Sequence, residues 1–329
     1  MRELRNDFRT NNFKPVYLLY GDEPYLSRHF TSEFAKLPSD PMMNCDTFEG
    51  KDFEVRAAID AAETFPFLSD WRVVIIKDSG LAAMGRKDDT DEIFKYLPDT
   101  PESTIVVFVE TVIDKRNKLF KQIGVLGRVV ECNLPNEAEL VRWLDNVFKK
   151  KGKTIDPNTA RIMIATVPKG MDSLYAEADK LEGFLGDRVQ VRPDDIQQVC
   201  TKSLEARIFD LVGALCDGKT EKALTQYHNM LVMKEQPLMV LAMMARQFRL
   251  ILQCKACVEK GVRDVAGTLG LRDFIVRECL RQGQNFTKAR LIEALSDCQD
   301  TDIRIKTGLI DGELGVELLI VRYSLCKSA

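Results

Sequence analysis

Four short runs in the first 135 residues are apolar at consecutive rather than alternating positions. They are Val16–Tyr20, closing on Gly21; Val73–Ile76, inside 72–77; Ile105–Val109, inside 104–109; and a last short one at Arg128–Cys132. A strand apolar on both faces is buried on both faces, so these runs predict a parallel sheet covered by helices on each side. Helical spacing fills the gaps. Pro24 is placed to open a helix running to about Lys36. Phe53, Ala57, Ala58 and Ala61 share one face of 53–63, and Ile93, Phe94 and Leu97 share one face of 91–97. A further helix is predicted over 114–123, capped by Asp114 and carrying Lys115, Arg116, Lys118 and Lys121. Strands alternating with helices make this an α/β domain.

After Pro135 the strand signal stops. Helices are predicted over 136–151, 156–167, 171–185 and 193–200, and then over 205–216, 219–232, 237–260, 263–269, 273–282, 286–301 and 311–325. Gly218, Pro237, Gly261, Gly270 and Gly312 punctuate the second set. The expected organisation is an α/β domain over 1–135, a small helical lid domain over 136–204 and a larger helical domain over 205–329. That order is typical of the AAA+ class, and fold order alone assigns no activity.

One stretch departs from the pattern. Thr64-Phe65-Pro66-Phe67-Leu68-Ser69-Asp70-Trp71 places two phenylalanines, a leucine and a tryptophan in a short connection just ahead of the 72–77 strand. Pro66 stops this piece from continuing a helix, because it lacks an N–H and its ring crowds the preceding turn. So much aromatic surface is either a plug folded onto its own core or a peg for another protein. Composition favours the plug, since most phenylalanines are core residues.

Composition changes the picture only at the margins. A chain of 329 residues is too long for one ordinary core. Its hydrophobic fraction of 45% and charged fraction of 29% are those of a soluble globular protein. No apolar run reaches a bilayer span and the N-terminus carries no signal-peptide core, so a cytoplasmic location and no membrane contact are expected. Nine cysteines, an odd count, read as reduced and mostly buried thiols. Cys254-Lys255-Ala256-Cys257 has no second such pair, and only His29 and His228 exist as imidazoles, so no metal site is expected. The formal net charge of -3 argues against a dedicated nucleic-acid binder. Residues 211–329 hold 17 Lys+Arg against 14 Asp+Glu, the remainder 30 against 36, a weak gradient that permits a DNA-facing surface in the last third.

Catalytic chemistry is hard to find. A phosphate-binding loop after the first strand needs glycines, a lysine and a hydroxyl in the pattern GxxxxGK[ST]. Here the loop reads Gly21-Asp22-Glu23-Pro24-Tyr25-Leu26-Ser27-Arg28, with one glycine, no lysine and two carboxylates in the phosphate path. The strand expected to end in metal-binding carboxylates ends Ile76-Lys77-Asp78. Neither ATP binding by the usual route nor any other cofactor is expected, and Asp22 and Glu23 read as helix-capping residues. Asp302 and Lys306, four apart, read as a helix ion pair.

In this order and spacing, several segments resemble one family. They are Val16 through Leu26, Phe67 through Ile76, Asp114 through Leu119, Phe209-Asp210-Leu211, Arg246-Gln247-Phe248-Arg249 and Asp302 through Gly308. The chain is similar, from about Val16 to about Val321, to the delta subunits of the bacterial DNA polymerase III clamp loader. The resemblance implies a degenerate AAA+ domain with a RecA-like sheet, a helical lid and a C-terminal helical collar used for ring assembly. It implies a subunit without ATPase activity, part of the DNA polymerase III holoenzyme, that opens the sliding clamp so it can be loaded on primed DNA during replication. The implied partners are the sliding clamp (beta subunit), the delta-prime and tau/gamma subunits, and primer–template DNA. Family members press an apolar peg into a clamp pocket, and that match falls on Phe65, Pro66, Phe67 and Leu68. A Leu-Phe pair in better-known members aligns with Pro66-Phe67 here, which makes Phe67 the expected deepest contact. The resemblance thus reverses the compositional preference for a plug. Lys115, Arg116 and Lys118 either contact the DNA backbone inside the ring or form a solvated helix face.

Three alternatives stay in view. A nucleotide hydrolase of the AAA+ type with an atypical loop would need to work without the lysine. A delta-prime or tau-type subunit would carry a four-cysteine zinc module and a Ser-Arg-Cys motif, neither of which is found. A helical nucleic-acid scaffold would bind DNA alone with steep salt dependence.

Overall fold

The computed structural model describes residues 1–83, 86–271 and 273–325, the side chains of 273 and 274 excepted; Cys326, read above as a reduced thiol, lies outside them. The chain forms two compact units, one of residues 1–164 with 169–192 and one of residues 165–168 with 193 onward. Most of the segment expected as a lid domain thus groups with the sheet, and 193–199 groups with the helices that follow.

The first unit begins α1 (Arg2–Thr10), β1 (Val16–Tyr20), α2 (Pro24–Ala35), α3 (Pro41–Asn44), β2 (Cys45–Glu49), α4 (Val55–Glu63), β3 (Arg72–Lys77) and α5 (Lys87–Tyr96). It continues β4 (Thr104–Glu110), α6 (Lys118–Leu126), β5 (Arg128–Glu131), α7 (Glu137–Lys150), β6 (Thr154–Ile155), α8 (Pro157–Thr166), α9 (Met171–Leu185) and β7 (Gln190–Val191). Five parallel strands lie in the order β2-β3-β4-β1-β5. Residue parity divides the core as the unbroken apolar runs require. Val16, Leu18, Val74, Ile76, Val106 and Phe108 face Ile59, Ile93, Leu119 and Ile123. From the other parity, Tyr17 meets Phe34 of α2 with ring centroids 4.7 Å apart, and Phe34 lies 4.8 Å from Phe8 of α1.

Four of the five strands follow the predicted runs. β2 was not predicted, because Cys-Asp-Thr-Phe-Glu lies at the sheet edge, half exposed, and lacks an apolar run. Strands also do not stop at Pro135: β6 and β7 pair in parallel over two residues each. The helix predicted over 114–123 starts at Lys118, because Asn117 accepts the Leu119 N–H at 2.9 Å and is the cap. Asp114 instead closes a turn on the Arg116 N–H at 2.9 Å.

The second unit comprises α10 (Pro193–Val199), α11 (Leu204–Cys216), α12 (Thr220–Val232), α13 (Pro237–Glu259), α14 (Val265–Leu269), α15 (Asp273–Gly283), α16 (Lys288–Lys306) and α17 (Gly312–Leu325). α13 is its axis and touches α11 and α14 through α17. Phe248, buried on α13, lies 6.2 Å from Phe286 and 6.1 Å from Tyr323. A polar relay crosses this core: Gln247 donates to Gln282 at 3.0 Å, and Gln282 donates to the Phe209 carbonyl at 3.1 Å. The buried amides are thereby satisfied, as an apolar interior demands. The Asp302–Lys306 pair forms at 2.8 Å. Among the described residues no helix is long and apolar enough to cross a membrane.

A buried ionic network ties α1 to the sheet. Asp7, 3% exposed, accepts from the Tyr17 hydroxyl at 2.9 Å and from Nη2 of Arg128 at 2.9 Å, while Nη1 of Arg128 reaches Glu3 at 2.6 Å. Burial pushes the Tyr17 phenol well up from its usual range. Removing Asp7 would strand a mostly buried guanidinium without its main acceptor, a change that costs about 3 kcal/mol. Asp7→Ala should therefore lower the urea midpoint of the first unit. The intrinsic fluorescence of Trp71 and Trp143, the only tryptophans and both in that unit, checks it.

Candidate functional site

The aromatic stretch ahead of β3 divides in two. Trp71 turns inward, its ring 5.5 Å from Phe13 and edge-on to it. Phe65, Phe67 and Leu68 face solvent, 82%, 58% and 84% exposed, with Pro66 half-buried. Leu68 adopts φ +50°, a left-handed conformation that costs a branched residue about 1 kcal/mol. Three apolar side chains exposed within four residues, on a strained backbone, are not a plug.

This loop is braced from below. Asn44, the last residue of α3, is fully buried. Its Oδ1 accepts the Phe67 N–H at 2.6 Å, and its Nδ2 donates to the carbonyls of Phe67 at 2.9 Å and Asp40 at 3.0 Å. The Ser69 hydroxyl accepts the Ser39 N–H at 3.1 Å. At the loop's end Arg72, 8% exposed, donates to the carbonyls of Ala61 at 3.0 Å and Met43 at 2.7 Å and pairs with Asp46. The topology explains why these meet: β2 and β3 are neighbours with Cys45 opposite Val73, so the residues preceding each strand lie side by side. Asn44, Ser69 and Arg72 were not singled out from the sequence, and nothing in Met-Met-Asn-Cys marks a latch.

The loop that would hold a nucleotide lies at the opposite edge of the sheet, at the C-terminal ends of the strands. Gly21 sits at φ +143°, and a Cβ there would come within 2.5 Å of the Cys132 carbonyl oxygen. The Glu23 N–H donates to that carbonyl at 2.9 Å, and Asp22 accepts the Leu134 N–H at 3.3 Å. Glu23 is 2% exposed; its carboxylate accepts the Tyr25 N–H at the start of α2 and the Met171 N–H at the start of α9, each at 3.1 Å. The chain's own carboxylate thus occupies two helix N-termini that favour an anion, so Glu23 performs the capping role expected of it, while Asp22 caps no helix and instead ties the 132–135 connection to the loop. Glu110, ending β4, is spent likewise. It accepts the N–H groups of Ser79 at 3.1 Å and Gly80 at 3.2 Å, while burial raises its carboxyl above the usual range against those bonds.

Lys115, Arg116 and Lys118 lie beyond β4, on this same edge. Lys115 sits 5.5 Å from the Tyr20 ring and 3.9 Å from Glu131. Arg116 makes a bidentate pair with Asp114 at 3.0 Å, and Lys118 pairs with Asp91 and lies 4.7 Å from the Phe94 ring. Only Lys118 belongs to α6; the other two occupy the preceding turn. Topology therefore does not bring these cations to the aromatic loop. Among the described residues no group of three or more His, Cys, Asp or Glu side chains could hold a metal ion. Cys254 is a buried thiol whose titration burial pushes up.

The chain is thus a five-stranded parallel sheet with an exposed apolar loop ahead of β3 and, in its second unit, helices alone among the described residues. The family described as "DNA polymerase III, delta subunit" matches residues 17–133, and "DNA polymerase III delta subunit, C-terminal domain" matches residues 205–323. The chain is 29% identical over 320 residues to DNA polymerase III subunit delta of Bacillus subtilis (strain 168), covering 94% of this chain and 92% of that one. The solved structure of the Bacillus subtilis DNA clamp loader delta protein matches it with a TM-score of 0.60 at 27% identity, covering 98% of this chain and 99% of that one. The chain belongs to the DNA polymerase III delta subunit family.

The Glu23 geometry sets a test. Glu23→Ala would leave two helix N-termini without their buried acceptor, at a cost of about 2 kcal/mol for the pair of caps. The expected result is a lower urea midpoint for the first unit, followed by tryptophan fluorescence; an unchanged midpoint would show that the cap contributes nothing.

Proposed function

We propose that this chain is a clamp-loader subunit without nucleotide chemistry of its own, which binds and opens the sliding clamp for loading on primed DNA. The observation that carries this reading is the exposed set Phe65, Phe67 and Leu68 on a braced loop. Covering one phenylalanine is worth roughly 1.5–3 kcal/mol, and a well-seated aromatic anchor can cost about 2 kcal/mol or more on truncation. Phe67, with Pro66 behind it, is the proposed deepest contact. A peg that binds the open clamp better than the closed one shifts the opening equilibrium by that difference.

The occupied phosphate site supports the absence of ATPase activity: a triphosphate entering beside Gly21 would meet the buried Glu23 carboxylate. ATP would then act through partners, the delta-prime and tau/gamma subunits, with residues 205–329 as the collar that joins the ring. Primer–template DNA would be a partner of the assembled ring. The three cations carry less of this reading than the peg does, because a phosphate reaching Arg116 or Lys118 would have to displace an ion pair already made.

The test is binding of the purified chain to the sliding clamp of the same organism, with and without ATP. The wild type should bind equally well in both conditions, and Phe67→Ala should bind about 30-fold more weakly, the equivalent of about 2 kcal/mol. Equal binding by both proteins would remove Phe67 from the site. ATP-dependent binding by the isolated chain would favour the nucleotide-hydrolase alternative.

A further inference from the structure

The Phe67 backbone is hydrogen-bonded on both sides by one side chain that is remote in sequence and fully buried. Asn44 offers its acceptor to the Phe67 N–H and its donor to the Phe67 carbonyl, the exchange that two residues make across an antiparallel ladder. The amide orientation is over-determined, since a flipped side chain would set its oxygen against the carbonyls of both Asp40 and Phe67. A fully buried side chain is therefore spent on the backbone of a residue whose own side chain stays 58% exposed.

We infer that Asn44 is the positioning residue of the docking loop: it locks the Phe67 peptide units so that the ring is presented before a partner arrives. The inference rests on the clamp-docking reading above. Ordering a loop at the moment of binding subtracts from affinity, and ordering it beforehand removes that loss. Pro66 fixes its own φ and restricts Phe65 but leaves the torsions of Phe67 unset, and the next residue, Leu68, is held in a left-handed conformation, so the geometry at Phe67 needs support from outside the loop. Arg72 fixes the far end through the Met43 carbonyl, one residue before Asn44, so the turn of α3 and the loop are held as one piece. That turn also carries Met42, 94% exposed, and Met43, 54% exposed.

Three measurements on the full chain test the latch. In the free wild type, the Phe67 amide should exchange with deuterium far more slowly than an unstructured amide. Asn44→Ala should speed that exchange and weaken clamp binding about tenfold, the scale of losing two hydrogen bonds with one group left buried. The double variant Asn44→Ala/Phe67→Ala should bind no more weakly than Phe67→Ala alone, since a latch that acts through Phe67 has nothing left to position. Wild-type-like binding by Asn44→Ala, or a loss that adds in full to that of Phe67→Ala, would overturn the latch while leaving the peg intact. Rapid exchange at the Phe67 amide of the wild type would overturn it even if Asn44→Ala does not fold. A Phe67→Ala variant that binds like the wild type would remove Phe67 from the site, and the latch with it.

Discussion

Strands that all run the same way can be joined only by crossovers that return the chain from one edge of the sheet to the other. That constraint decides what each connection in the first unit can do. The connections leaving β1, β3 and β4 lie at the C-terminal edge, where open α/β sheets bind ligands. The connections entering β2 and β3 lie at the N-terminal edge. The loop with Phe65, Phe67 and Leu68 enters β3, and α3 enters β2, so the aromatic loop and its Asn44 support share an edge, opposite the one that Gly21 and Glu23 occupy. The two edges are separated by the length of the strands, so the polar groups that fill one place no constraint on the other.

Both edges are built from buried polar groups, used in opposite ways. At the C-terminal edge Glu23 and Glu110 turn inward and consume the backbone donors that a phosphate would use. At the N-terminal edge Asn44 and Arg72 turn inward and free apolar side chains to face out. Each buried group is satisfied, so neither arrangement carries the penalty of an orphaned donor or acceptor. If the aromatic loop docks as proposed, this bracing limits the order that must be gained on binding.

Legibility in the sequence followed burial. Four of the five main strands, Pro24 as a helix start, the Asp302–Lys306 pair and the helices of the second unit could be read from the sequence, because each depends on contacts close in sequence or on uniform burial. β2 could not, since an edge strand needs no unbroken apolar run. The cap of α6 moved from Asp114 to Asn117 because both residue types cap well, and only the path of the chain around 114–117 chooses between them. The helical segment after Pro135 was legible helix by helix, while its grouping with the sheet was not. That grouping depends on contacts such as Tyr25 with Trp143, 5.3 Å apart, and Tyr25 with Tyr175, 5.8 Å apart, between distant parts of the chain.

The aromatic stretch shows the division most sharply. Composition alone determined that 64–71 cannot be helix past Pro66 and that it holds more apolar surface than a connector needs. The motif order determined the family. Which aromatics face out was a tertiary matter: Trp71 packs on Phe13, fifty-eight residues away in sequence, while Phe67 is held at its backbone by Asn44 and leaves its ring in solvent. Outward or inward is set by which neighbours the parallel sheet brings alongside, and pairing between non-adjacent segments leaves no periodic trace in either one.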